Sequence, residues 1–245
     1  MSERKSFALT SMILHILAMV FMLFDHLWAT IVPGNDWMTC VGRIAFPIFA
    51  FLIVEGYFHT GNLKKYVLRL LVFALISEIP FNLVMGGRIF YPLHQNVLWT
   101  FLIAIGLIYL NEKAKHAKLP RRILRGAATV IIGYFVGIIT FVDFYNSGIL
   151  IVLMFYFLRG RKWWNLVGQI LILAYICEEM VGGLSYELAI GDTTFFIARQ
   201  SFALLALIPI WLYKGKQGPY NKGLRILYYA FYPAHLLVLG LLNFL

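Results

Sequence analysis

Long apolar runs, each closed by a few polar residues, repeat along the whole chain. A helix needs about 20 mostly apolar residues to cross a bilayer. Nine stretches approach that: 7–32, 38–59, 65–85, 95–111, 124–142, 145–158, 163–178, 194–212 and 226–245. The sixth and seventh are short enough to be tilted or re-entrant. Nine spans take about 180 residues, which leaves only short loops in a chain of 245. The pattern predicts an all-α, polytopic integral membrane bundle of about nine transmembrane helices, one domain over 1–245. Arg4 and Lys5 before the first run resemble a signal peptide. Asp25, His26 and Trp28 stand where small cleavage-site residues would, so the run reads as an uncleaved first helix.

Composition narrows the class. Hydrophobic residues make up 61% and charged residues 13%, against about 45–50% and about 25% in soluble domains. That excludes an ordinary cytosolic enzyme, a disordered chain and a disulfide scaffold. The two cysteines form no CxxC pair, so zinc-ribbon and thioredoxin-type sites are excluded too. A Cys40–Cys177 disulfide stays open, because both residues fall near the same predicted membrane face.

The net charge of +10 fits either nucleic-acid binding or membrane topology, and its distribution decides. Basic residues cluster at alternate loops: Arg4 and Lys5; Lys64 and Lys65; Lys113, Lys115, Lys118, Arg121, Arg122 and Arg125; Arg159, Arg161 and Lys162; Lys214, Lys216, Lys222 and Arg225. These are 17 of the 21 basic residues. Cytoplasmic loops carry such an excess, so the N-terminus is expected inside and the C-terminus outside. The partner is then a lipid bilayer and not a nucleic acid. Trp37, Trp99, Trp163, Trp164 and Trp211 fall near span ends, as an interfacial belt would.

Charges inside spans cost about 2.5 kcal/mol or more each on insertion scales, so those present are functional candidates. Asp25 and His26 lie late in the first span and Arg43 early in the second. Glu78 and Asn82 lie past the middle of the third. Gln95 and Asn96 open the fourth, and Arg199 and Gln200 lie in the eighth. His235 sits about 15 Å into the last span at 1.5 Å per residue, two residues after Pro233. With alternating helix direction, these converge in the outer half of the bundle. Asp25 and His26 are adjacent, and adjacent helical residues do not face each other. Asp25 therefore suits Arg43 as an ion-pair partner, while His26 faces a cavity beside Glu78 or Asn96. His15, His59, His94 and His116 read as packing histidines.

Together these residues resemble the TraX family. The resemblance is carried by Phe24-Asp25-His26, by Gly42-Arg43-Ile44-Ala45-Phe46-Pro47-Ile48-Phe49-Ala50, by Gln95-Asn96, by Tyr145 with Gly148, and by Phe231-Tyr232-Pro233-Ala234-His235-Leu236. TraX-type proteins are multi-pass membrane proteins associated with N-terminal acetylation of conjugative pilin. They are distantly similar to heparan-α-glucosaminide N-acetyltransferase, which uses cytosolic acetyl-CoA to modify an acceptor across the membrane. The resemblance implies an acetyltransferase of the bacterial cytoplasmic membrane. Its acceptor stays open among a peptide amine, a sugar and another hydroxyl.

Acyl transfer from a thioester needs a base, oxyanion donors and two juxtaposed substrates. His26 is the expected general base, with His235 the second choice. Arg43 and Asn96 are expected to hold the oxyanion or the donor, with Asp25 holding Arg43. Glu78 and Asn82 are expected to meet an acceptor ammonium, and Gln95, Tyr145, Arg199, Gln200 and Tyr232 to line the substrate site. Lys214, Lys216 and Lys222 are expected to meet the phosphates of acetyl-CoA. No metal is expected, and direct transfer is favoured over an acyl-enzyme. The competing class is a proton-coupled transporter, which would also place carboxylates and histidines in spans; a non-catalytic scaffold leaves those charges unexplained.

Overall fold

The computed structural model describes residues 9–191, 193–219 and 222–243, with only the backbone of Lys222 and Arg225. Arg4, Lys5 and Asp192 lie outside the described residues. Among the described residues, six helices are long and apolar enough to cross a membrane: Ser11–Thr30, Asp36–His59, Leu63–Gly86, Leu119–Ile139, Trp163–Val181 and Ile226–Asn243. Val97–Glu112, Tyr145–Phe157 and Arg199–Leu212 are shorter apolar helices. Among the described residues the chain is thus a mostly helical bundle with six candidate membrane helices.

Helix α1 (Ser11–Thr30) starts where the Thr10 side chain accepts a hydrogen bond from the Ile13 N–H, satisfying one of the unpaired amides of the first turn. The second apolar stretch breaks into α2 (Asp36–Gly42) and α3 (Ala45–His59). Pro47 falls in the first turn of α3, where its missing N–H costs nothing. Arg43 sits in the break between the two. Helix α4 (Leu63–Gly86) is capped by Asn62 and ends at Gly87, which has a left-handed φ of 58°, the usual helix stop. Helix α5 (Val97–Glu112) is capped by the Asn96 side chain. Helices α6 (Leu119–Ile139) and α7 (Tyr145–Phe157) follow. Helix α8 (Trp163–Tyr175) continues as a π-turn over Ile176–Val181.

The expectation of helix from 194 is corrected here. Residues Ser185–Ile190 (β1) and Thr193–Ala198 (β2) pair antiparallel as a hairpin, so the chain is not wholly α. Tyr186, Leu188 and Ile190 alternate with Ser185, Glu187 and Ala189, the period-two pattern of a strand. A 3₁₀ segment (Arg199–Ala206), α9 (Leu207–Leu212) and α10 (Lys222–Asn243) complete the chain.

The core lies on α3 and α7. Ile48, Ala50, Ile149, Ile151 and Val152 are fully buried, and α7 is apolar on every side because neighbours surround it. By contrast α6 and α8 expose Leu124, Ile139 and Leu171. So much apolar surface suits lipid rather than water. Gly137 lets α6 touch α7: a side chain there would lie 2.6 Å from the Asn146 Cα. Small residues permit such close packing in membranes.

The loops sort to two ends. Ser11 donates to the Lys216 carbonyl at 2.9 Å. Arg161 donates to the carbonyls of Ile210 and Tyr213. Arg159 binds Glu55 at 2.8 Å, and Asn111 donates to the Tyr156 hydroxyl at 2.7 Å. The basic loops are thereby tied together at one end. The opposite end holds α2, the hairpin and the 141–145 turn.

Candidate functional site

Asp25 and His26 diverge, as consecutive helical residues must. Asp25 faces α2. Arg43 Nη2 donates to Asp25 Oδ1 at 2.7 Å. Thr39, buried and one turn before Arg43, donates to the same Oδ1 at 2.7 Å and accepts from Arg43 Nη2 at 2.9 Å. Arg43 Nη1 donates to the Gln200 Oε1 at 3.4 Å. Gly42 makes this packing possible, since a Cβ there would lie 2.4 Å from the Asp25 Cβ. Gly42→Ala is therefore expected to push α1 away from α2 and lower the unfolding temperature in detergent, whereas Gly106→Ala, which meets nothing within 4 Å, leaves it nearly unchanged.

His26 faces α10 instead. Its Nδ1 lies 2.7 Å from His235 Nε2. The rings are near coplanar (5°) with centroids 5.0 Å apart. That is close to the nitrogen separation plus the two ring radii, so the rings meet edge to edge. His235 Nδ1 lies 2.7 Å from the Phe231 carbonyl. A carbonyl only accepts, so His235 carries its hydrogen on Nδ1 and, when neutral, a lone pair on Nε2. His26 must then carry its hydrogen on Nδ1 and a lone pair on Nε2. The packing thus fixes both tautomers and leaves His26 Nε2 as a base.

The expected support of His26 by Glu78 or Asn96 is corrected. Asn96 Nδ2 donates to Glu78 Oε2 at 2.5 Å and to the Ala74 carbonyl at 2.9 Å, while its oxygen caps α5. Both of its N–H donors are engaged, so Asn96 has none left for an oxyanion. Trp99 Nε1 also donates to Glu78 Oε2, at 3.1 Å. Glu78 Oε1 and Asn82 Oδ1 are buried acceptors with no protein partner among the described residues, one helical turn apart. Asn82 donates to the Ile89 carbonyl at 3.2 Å. Gln95 donates to the Pro92 carbonyl and its backbone pairs with Phe141 and Asp143.

Arg199 grips Asp36 through both Nη atoms, at 3.0 and 2.6 Å, and lies 5.2 Å from the Tyr186 ring centroid. Tyr186 in turn meets Cys40 Sγ at 3.2 Å. That thiol contact, with some burial, holds the Tyr186 hydroxyl above the ordinary phenol range. Both cysteines are free; Cys40 is turned to the hairpin and Cys177 into the core.

Two residues left out of the sequence-read site belong beside it. Thr39 is one; its signal is the four-residue spacing to Arg43. Asp143 is the other. It accepts from Phe144 N–H at 3.1 Å and meets His94 Nε2 at 3.3 Å, and it lies within electrostatic reach of Asp25 and His26. Phe141, Phe144 and Tyr145 around it all have positive φ (52°, 58° and 46°). Non-glycine residues adopt that region at a cost and concentrate at functional sites. Tyr145 stacks on His94 with centroids 6.0 Å apart.

A cavity of about 530 Å³ runs between α1, α3, α4 and α10. At the basic end it is lined by Ser11, Thr60, Gly215 and Gln217, and at the other by Met22, Val97, Phe231 and Tyr232. From Ser11 to Met22 is about 16 Å along α1. The rings of Phe231 and Tyr232 pack on His235 at 4.8 and 5.8 Å, so the cavity ends beneath the histidine pair. Lys214 and Lys216 belong to the loop at its mouth and are exposed; the Lys222 side chain lies outside the described residues.

Comparison with known proteins agrees with the motifs that line this site. The chain is 28% identical, over 92% of its own length and 92% of the relative's, to a protein of Dichelobacter nodosus named "Probable fimbrial assembly protein FimC, serogroup H1". No solved structure matches it. The family described as "TraX protein" matches residues 10–243, nearly the whole chain, and the chain therefore belongs to the TraX family.

Proposed function

We propose that this protein is an acetyltransferase of the bacterial cytoplasmic membrane. It moves an acetyl group from cytosolic acetyl-CoA to an amine or hydroxyl of an extracytoplasmic acceptor. The observation that carries the reading is the cavity: it leads from the basic end to the rings under His235, whose partner His26 is left with a basic nitrogen. In this reading the basic end is cytoplasmic. The nine apolar segments all cross or enter the membrane, with the N-terminus inside and the C-terminus outside.

In this reading the thioester arrives through the cavity and the acceptor from the opposite end. His26 Nε2 takes the acceptor's proton as its nitrogen or oxygen bonds to the acetyl carbon. The C–S bond then breaks, and the leaving thiolate takes the proton back from His26. While His26 is doubly protonated, its Nδ1–H remains on His235, and the Phe231 carbonyl holds that ring in place. Arg43 has five N–H donors, and the contacts to Asp25, Thr39 and Gln200 leave one on Nη1 for the oxyanion. Glu78 and Asp143 are acceptors for an incoming N–H or O–H. The fimbrial relative makes a surface-fibre subunit the first acceptor to try.

The test is release of free thiol from acetyl-CoA by purified protein in detergent, with and without an extract of surface proteins. Acceptor-dependent release with label transferred to a surface component is expected. No release, together with proton uptake by proteoliposomes, would replace this reading with a transporter.

A further inference from the structure

We infer that Arg69 is a phosphate-binding residue inside the cavity, holding the anionic head of the donor partway to the histidine pair. The identity of the ligand rests on the acetyl-transfer reading above. Arg69 lies in α4, about 9 Å from its first residue, and lines the cavity wall. Its Nε donates to the Tyr229 hydroxyl at 3.3 Å, and its guanidinium carbon lies 5.8 Å from the Tyr229 ring centroid. Among the described residues its four Nη hydrogens meet no hydrogen-bond partner and remain for a ligand.

Arg69 differs in its charge balance from Arg43 and Arg199, the arginines at the site end of the bundle. Arg43 is paired with Asp25 and Arg199 with Asp36. Among the described residues no carboxylate pairs with Arg69. Glu55 is the one carboxylate among the described residues of the cavity wall, and Arg159 already binds it at 2.8 Å. An unpaired guanidinium within a membrane helix is costly and marks a site for an anion. Its planar fork matches phosphate.

The rest of the wall describes the remainder of the ligand. Beyond Arg69 it is apolar, with Met19, Phe49, Leu52, Ile53 and Phe101. Arg69 to Glu78 spans about 13 Å of α4. A phosphate held at Arg69 therefore sends a long, thin arm toward the histidines. Phosphate on such an arm describes a phosphorylated carrier thioester; a phospholipid offers the same chemistry.

The experiment is calorimetric titration of the full-length protein in neutral detergent with coenzyme A and with pantetheine, which has the arm and no phosphate. Phosphatidylglycerol retention in nanodiscs is measured beside it. Arg69→Gln is expected to weaken coenzyme A about tenfold or more, the loss of a charge-assisted contact, and to change pantetheine less than about twofold. Arg69→Lys is expected to recover part of the loss. Equal losses for both ligands would mean a structural role and overturn the inference, as would unchanged coenzyme A affinity or Arg69-dependent retention of phosphatidylglycerol alone. If the wild-type protein binds no coenzyme A, the acetyl-transfer reading falls as well. If it binds and Arg69→Gln leaves binding intact, only this inference falls.

Discussion

His26→Ala is expected to lower acetyl transfer by about a hundredfold or more, the range general-base catalysis supplies, while expression and the unfolding temperature hold. The expectation follows from tautomers. The Phe231 carbonyl fixes the hydrogen of His235 on Nδ1, and His235 Nε2 fixes that of His26. The free lone pair at the end of this series is on His26, so removing its ring removes the base. His235→Ala leaves that nitrogen in place and loses only the lock on its tautomer and orientation. Its loss should be smaller, and should fall mainly on kcat rather than on coenzyme A affinity. Both variants are assayed for free-thiol release in the same detergent. A His235→Ala defect larger than that of His26→Ala would reverse the two roles.

The second large effect is on folding. Arg43→Ala removes the cation from Asp25 and leaves a half-buried carboxylate held only by Thr39. Breaking a buried pair from one side costs about 3–5 kcal/mol, because the remaining charge stays out of water. The Asp25→Asn, Arg43→Gln double variant removes both charges and keeps polar groups in place, so most of that loss should return. Transfer should not return with it, because an amide in place of the Arg43 side chain offers no guanidinium to the oxyanion. Thermal unfolding in detergent measures the first effect and thiol release the second. A double variant as unstable as Arg43→Ala would show that the pair's charge is not what holds α1 to the α2–α3 break.

The sequence made the long helices legible because a bilayer demands apolar length and little else. It made Asp25–Arg43 legible because two charges in spans require partners. The hairpin was hidden: its alternation over 185–190 is short and lies beside apolar residues that a window as long as a span averages away. The His26–His235 contact is separated by 209 positions and depends on how α10 lies against α1, which no local pattern encodes. The same holds for Asn96, whose motif position drew attention while its donors turn out to serve Glu78 and Ala74. Asp143 carried a signal only as a charge at a span end; its strained neighbours are visible in backbone angles alone.

The central claim is that the cavity delivers a thioester to His26, and a structure of the protein with a non-transferable thioether analogue of acetyl-CoA tests it most directly. The analogue's arm is predicted to lie along α1 and α4, with its sulfur beside His26 Nε2 and its carbonyl toward Arg43. An analogue bound only to the outer basic loops, with the cavity filled by lipid, would contradict it.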